Sequence, residues 1–206
     1  MNQTTYSAQQ LPIMEEFYSL QGEGFHTGEA AYFVRVGGCK IGCPFCDVKE
    51  SWNDKNHPLT SVNEIIHRIK QSPTKNVILT GGEPMLYNLS YLCEKLQEQG
   101  VNRFLETSGS ERLSGQWEWI CVSPKRKAPV LPEFYPIANE LKVIVEDPSD
   151  FDRAEEVAAL MHNKTLLYLQ AEWSKQEEIT PLIIDYILHH PQWKISLQTH
   201  KFIHIR

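Results

Sequence analysis

Three of the five cysteines fall within eight residues, as Cys39-Lys-Ile-Gly-Cys43-Pro-Phe-Cys46, a C-x3-C-x2-C spacing. Thiolates bind soft metals, and such close spacing lets one loop wrap one metal centre. Three readings compete. A structural zinc site closes with four ligands, and His26 or His57 is available as a fourth, but no second paired ligand group is evident. A disulfide leaves one cysteine of the triplet over. A [4Fe–4S] cluster held by three thiolates leaves one iron open to a ligand that is not protein. The other two cysteines, Cys93 and Cys121, lie on an apolar helical face and inside a strand, and read as buried hydrophobes.

The elements that must hold this loop follow from hydrophobic periodicity. Apolar runs at 31–37, 76–80, 102–107, 118–123, 140–145, 165–170 and 193–198 read as strands. Between them, Ser61 and Glu64 have capping-box spacing before Val62, Ile65, Ile66 and Ile69. A second stripe, Leu89, Leu92, Cys93 and Leu96, stops at Gly100. A third helix starts at Ser149 or Asp150 and ends near Met161, and Thr180-Pro181 reads as an N-cap and first helical residue of a fourth, running through His189. His189-His190 reads as a solvated helix end, since adjacent helical residues point apart. Strand–helix alternation implies an α/β fold with a parallel sheet, whose ligands sit at the carboxyl ends of the strands. Cys39, Gly81-Gly82-Glu83-Pro84, Thr107-Ser108-Gly109, Ser123-Pro124-Lys125 and Gln170 all fall there, which predicts one shared site. A closed eight-fold barrel takes about 250 residues, so 206 residues predict a partial, open (β/α)6-type barrel of about six strands.

Composition bounds the rest. A chain of 206 residues is one domain, spanning 1–206, with residues 1–12 as a polar lead-in. The start, MNQTTYSAQQ, has neither a basic nor an apolar stretch and does not read as a secretory signal. A net charge of −6 argues against a mainly electrostatic nucleic-acid binder. No apolar run approaches the ~20 residues of a membrane span. An odd cysteine count without an export signal points to the reducing cytoplasm.

The cysteine triplet with an aromatic residue before its last cysteine (Phe45), followed by Gly81-Gly82-Glu83-Pro84, resembles the radical S-adenosylmethionine (SAM) enzymes. The likeness narrows. Phe17-Tyr18-Ser19-Leu20-Gln21-Gly22-Glu23-Gly24, Phe33-Val34-Arg35, Gly37-Gly38-Cys39, Cys46-Asp47, Thr80 to Pro84, Glu106 to Gly109, Ser123-Pro124-Lys125 and Gln198-Thr199-His200-Lys201 are similar to the 7-carboxy-7-deazaguanine synthase family, over about residues 13–204. The resemblance implies a lyase of queuosine (7-deazapurine) biosynthesis. Its reaction is a radical ring contraction of 6-carboxy-5,6,7,8-tetrahydropterin to 7-carboxy-7-deazaguanine with loss of ammonia. It implies that Cys39, Cys43 and Cys46 hold a [4Fe–4S] cluster. It places Phe45, Asp47, Gly82, Glu83, Ser108, Ser123, Lys125 and Gln170 around SAM. Leu20, Gln21, Gly22, Arg35, Thr80 and Glu106 would hold the pterin. The physical logic agrees: Arg35 offers a fork for the pterin carboxylate and Glu106 an acceptor for its guanidine-like edge. A homodimer and a flavodoxin-like reductant are also implied, with no nucleic-acid or membrane partner.

Two departures stand out. Family members often carry threonine or serine after Cys-Asp, whose hydroxyl helps bind Mg2+ with the substrate carboxylate; here Val48 has no oxygen, which predicts weaker dependence on Mg2+. Gln170-Ala171 stands where Gln-Pro is expected, and residues 48–60, with Trp52, predict a reduced lid. The rival readings are another small radical SAM enzyme, such as a glycyl-radical activase, and a non-enzymatic zinc-binding module. The first leaves the Leu20-Gln21-Gly22 opening and Glu106 without a role.

Overall fold

Strand–helix alternation produces one nine-stranded sheet in a computed structural model that describes residues 8–206. β1 (Gln10–Leu20) and β2 (Ala30–Val36) pair antiparallel, with Phe17 opposite Phe33, and β3 (Leu59–Ser61) adds antiparallel to the other side of β1. From β2 onward come β4 (Asn76–Gly81), β5 (Asn102–Thr107), β6 (Trp119–Val122), β7 (Glu140–Val145), β8 (Leu166–Ala171) and β9 (Trp193–Ile195), each parallel to the strand before it. The order is β3-β1-β2-β4-β5-β6-β7-β8-β9, and the sheet stays open. α1 (Val62–Ile69), α2 (Ser90–Glu98), α3 (Ser149–Ala158) and α4 (Gln176–His189) precede β4, β5, β8 and β9. A last short helix, α5 (Thr199–Phe202), follows β9. The open α/β expectation is met. The sheet is wider than six strands because an antiparallel pair and a short ninth strand flank the parallel core.

Strand periodicity sorts the residues into two layers. Val34, Val36, Val77, Leu79, Leu105, Leu141, Val143 and Leu169 face the helices and form the main core with Ile65, Leu92, Ala154 and Ile183. The alternate residues Ala31, Phe33, Ile78 and Phe104 form a smaller core on the concave face. The loop between β1 and β2 covers that face: Phe25 stacks on Trp119 at 4.8 Å, and His26 on Phe104 at 4.4 Å. One pleat further along the same face come Arg35, Thr80 and Glu106. The apolar layer is therefore a floor and the polar layer a site.

Several local expectations change. The Ser61–Glu64 capping box forms, and Val62, Ile65, Ile66 and Ile69 are buried as read. Gln10-Leu11-Pro12, read as lead-in, belong to β1, where Leu11 is 1% exposed; residues 1–7 of that lead-in lie outside the described residues. The helix expected to start at Thr180-Pro181 starts at Gln176, with Pro181 inside it. The Glu172 carboxylate accepts from Ser174 N at 3.0 Å and starts a tight turn that runs into α4, and burial of Ile179 holds the added turn. These offset the one backbone hydrogen bond that Pro181 cannot donate. β9 ends at Ile195 rather than 198. No α-helix links β5 to β6 or β6 to β7: Gly109 and Gly115 interrupt the first link, and Pro124, Pro129, Pro132 and Pro136 the second.

Candidate active site

The cysteine loop leaves the carboxyl end of β2 and is pinned on both sides. Gly38 N donates to Ser51 O at 2.6 Å, and Cys39 N to Trp52 O at 3.1 Å. Residues expected to form a reduced lid thus include two short 3-10 turns, Lys49–Trp52 and Asp54–Asn56, and the first of them buttresses the loop. From the other side Gly82 N donates to Val36 O at 2.9 Å, and Glu83 N to Gly38 O at 2.8 Å. The approach is so close that a Cβ on Gly82 would sit 2.1 Å from the Gly38 carbonyl oxygen and 3.1 Å from Cys39 Cβ. Gly82→Ala must push the cysteine loop outward. It is expected to cost about 1–3 kcal/mol in thermal or denaturant unfolding. The iron bound per chain after anaerobic reconstitution should fall with it; unchanged iron content would refute this account.

Cys39, Cys43 and Cys46 line one cavity of about 280 Å3. All three are only partly buried, while Cys93 and Cys121 are buried, as expected of packing residues. Burial pushes the Cys39 and Cys43 thiols up, so a metal centre must displace protons to bind them. Among the described residues no three His, Cys, Asp or Glu side chains gather as ligands for a single metal ion. Each cysteine of a cluster holds its own iron, so the donor set needs to face one cavity rather than one point. The zinc reading also lacks its fourth ligand: His57 Nε2 is engaged with Glu50 O at 2.9 Å, and His26 is stacked in the floor. The residues present therefore fit a three-thiolate [4Fe–4S] cluster.

Every residue expected around SAM borders the same cavity: Phe45, Asp47, Gly82, Glu83, Ser108, Ser123, Lys125 and Gln170. Glu83 is 2% exposed and accepts from Met85 N at 3.0 Å, Ser108 N at 2.8 Å, Thr107 Oγ1 and Ser108 Oγ. Its carboxylate thereby ties the end of β4 to the end of β5, and any ligand ammonium shares it with these donors. Lys125 Nζ donates to Ser123 Oγ at 2.7 Å, and burial lowers its pKa. Gln170 Oε1 accepts from Ser196 Oγ at 2.7 Å. Asp47, beside the last cysteine, accepts from Lys201 Nζ at 3.0 Å.

The residues expected to hold the pterin, Leu20, Gln21, Gly22, Arg35, Thr80 and Glu106, border the cavity as well. Arg35 Nε donates to Glu15 Oε1 at 2.9 Å. Glu106 accepts from Gln21 Nε2 at 3.0 Å through one oxygen and from Lys142 Nζ at 3.0 Å through the other. Lys142 Nζ also donates to Glu23 Oε2 at 2.6 Å. Burial opposes ionisation of Glu23, but Lys142 and a Gln198 hydrogen bond override it and hold its pKa at about 2.

Residue reading missed several cavity residues: Lys142, Trp173, Gln198, His200 and Arg206. Lys142 carries a signal, a lysine inside the otherwise apolar strand ELKVIV. Gln198 and His200 lie in the recognised tail motif but received no role. Arg206 has no local signal. It reaches the cavity because the chain after β9 crosses back to β1, where Ser19 Oγ donates to Arg206 O at 2.7 Å and Arg206 Nη2 pairs with Glu15 at 3.0 Å.

Residues 33–122 match the model of the radical SAM superfamily. Together with the open parallel sheet and the cysteine loop at a strand end, this makes the protein a radical SAM enzyme, a class that works with a [4Fe–4S] cluster and SAM. The chain is 48% identical over 195 residues (95% of it and 92% of the relative) to 7-carboxy-7-deazaguanine synthase of Flavobacterium psychrophilum. It is 47% identical to that of Synechocystis sp., covering 95% of the chain and 93% of the relative. The crystal structure of QueE from Escherichia coli superposes with a TM-score of 0.83 at 30% identity, covering 93% of this chain and 95% of that one. The chain belongs to the 7-carboxy-7-deazaguanine synthase family.

Proposed function

We propose that this chain is a lyase that converts 6-carboxy-5,6,7,8-tetrahydropterin into 7-carboxy-7-deazaguanine with loss of ammonia, a step of 7-deazapurine (queuosine) biosynthesis. The observation that carries the reading is that the three cysteines and every residue expected around SAM and the pterin border one cavity. When bound, the cluster and SAM supply a 5′-deoxyadenosyl radical able to take a hydrogen atom from the pterin. The protein's task is to bind, orient and exclude water. Cys39, Cys43 and Cys46 hold the cluster, and the strand ends at Gly82, Glu83, Ser108, Ser123, Lys125 and Gln170 hold SAM. Arg35 clamps the carboxylate, Glu106 accepts from the 2-amino edge, and Leu20, Gln21, Gly22 and Thr80 border the ring. Anaerobic incubation with SAM, reductant and the carboxytetrahydropterin, followed by mass spectrometry, tests this. The carboxydeazaguanine and one equivalent of ammonia are expected, whereas SAM cleavage without that product refutes the substrate. A glycyl-radical activase is disfavoured, because its protein substrate leaves Arg35 and the Gln21–Glu106–Lys142 network without a role.

A flavodoxin-like reductant, a homodimer and a cytoplasmic setting belong to the same reading. No helix among the described residues is long and apolar enough to cross a membrane. Mg2+ fits this site poorly. Val48 borders the cavity without a side-chain oxygen, its carbonyl already accepts from Ser51, and Lys201 already neutralises Asp47 at 3.0 Å. Turnover with a chelator present is expected to stay within about threefold of turnover with added Mg2+, because a metal that polarised the carboxylate would contribute several kcal/mol. Complete loss on chelation would overturn this expectation.

A further inference from the structure

The parallel strands bring one ion cluster together in the wall of the cavity, from residues of three separate motifs and a lysine of β7. Lys142 is buried in the middle of β7, its side chain 3% exposed, on the concave face. Its ammonium pairs with Glu106 at 3.0 Å and with Glu23 at 2.6 Å. Gln198 Nε2 donates to the second oxygen of Glu23 at 2.8 Å. Gln21 Nε2 donates to the second oxygen of Glu106 at 3.0 Å. Both oxygens of Glu106 are thus held by donors from different elements, β7 and the β1–β2 loop. A carboxylate held this way keeps one orientation, and its remaining lone pairs have a defined direction. One ammonium between two carboxylates leaves the cluster with one net negative charge. That suits a ligand edge presenting several N–H donors, and it repels an edge presenting oxygen acceptors.

We propose that Lys142 is the positioning residue for ligand selection in this site. It acts through Glu106, holding that carboxylate to accept the amino and ring N–H groups of a 2-amino-4-oxopyrimidine edge and to reject the 2-oxo counterpart. The proposal rests on the pterin reading above and adds to it the residue that sets the selectivity. Without Lys142, Glu23 and Glu106 face each other with no cation between them. Like charges then push the two side chains apart, and the acceptor direction at Glu106 is lost.

The test uses the reconstituted full chain, Lys142→Met, and two substrates: the carboxytetrahydropterin and its 2-oxo analogue. Visible absorbance of the cluster per chain and the KM for SAM report whether the rest of the site is intact. The variant is expected to raise KM for the pterin roughly 100-fold, in line with the cost of leaving a buried charge unpaired, while KM for SAM stays within about twofold. Its preference for the 2-amino over the 2-oxo compound is expected to narrow at least about tenfold, since a site built around hydrogen bonds discriminates through them. An unchanged KM and preference overturn the proposal. So does an equal rise in KM for both pterin and SAM, which marks a merely structural lysine. Should Lys142→Met fail to load a cluster, the double variant Glu23→Gln with Lys142→Gln replaces it under the same outcomes, because it removes one charge of each sign. If the parent protein cleaves SAM but converts no pterin, the functional reading itself fails and this proposal with it. If the parent converts pterin and the variants match it, only this proposal fails.

Discussion

Cys43→Ala is expected to purify without the brown colour of an iron–sulfur protein and to cleave no SAM. In the proposed reading three thiolates are the whole protein contribution to the cluster, and the loop offers no substitute. Lys40 and Pro44 carry no thiol, and Asp47, a hard oxygen donor, is paired with Lys201. With two thiolates in place of three the loop would hold a cluster with one protein ligand fewer, which favours its loss. Because the cluster and SAM carry the difficult chemistry, product formation should fall at least about a thousandfold rather than partially. The fold should survive. Cys43 lines the cavity and is only partly buried, while the main core of Val34, Leu79, Leu105, Val143 and Leu169 packs against the helices without involving the loop. A Cys93→Ser control changes a thiol that is 2% exposed on α2, away from the cavity, and should keep both colour and cleavage. Retained SAM cleavage in Cys43→Ala, measured as 5′-deoxyadenosine, would overturn the cluster assignment.

Glu106→Gln carries the second large effect. The substitution keeps size and removes one charge. Lys142 retains Glu23 at 2.6 Å, so no buried cation is stranded and the protein should still fold. What changes is the acceptor. A carboxylate accepts at both oxygens, whereas an amide accepts at one and presents an NH2 at the other. Set against a 2-amino-4-oxopyrimidine edge, that NH2 faces N–H donors. Loss of a charge-assisted hydrogen bond plus this mismatch is worth roughly 3–4 kcal/mol, or about a 100- to 1,000-fold fall in kcat/KM for the pterin. Affinity for SAM should change little, because Glu106 hydrogen-bonds Gln21 and Lys142 and none of the residues expected around SAM. Steady-state kinetics with each substrate varied in turn separates the two. A fall of the same size in both parameters would mean that Glu106 supports the fold rather than the pterin.

Legibility in the sequence tracked the range of the interactions. The Ser61–Glu64 capping box is made by residues three apart, so its spacing alone announces α1. β5 and β7 match the expected strands to the residue because alternation between two buried faces is written along each one. The cysteine triplet and Gly-Gly-Glu-Pro are equally local, since one loop and one strand end must each contact the same ligand. β1 was not read as a strand because QLPIMEEFYSL mixes a proline with adjacent acidic residues. It pairs through Ile13 and Phe17 with β2 across the loop at 21–29, and through Leu11 with Thr60 of β3, much further along the chain. Pro181 misled for a related reason: α4 continues the tight turn that Glu172 caps and is held by the burial of Ile179, so the proline lies inside it rather than at its start.

By itself, then, the sequence determined the cysteine triplet, the glycine strand end, the alternation that makes an open, mostly parallel sheet, and the family whose pattern proposes residues for SAM and a carboxylated pterin. Only the tertiary structure decided how those residues are held. Glu83 spans two strand ends, and Lys142 joins Glu106 to Glu23 across residues that are remote in sequence. The terminal Arg206 returns to the cavity beside β1. Motifs are legible when a ligand is gripped by neighbours in the chain. The partners of a buried ion pair are not: the lysine in the apolar strand ELKVIV is visible, but which carboxylates it meets is set only when folding removes the water between them.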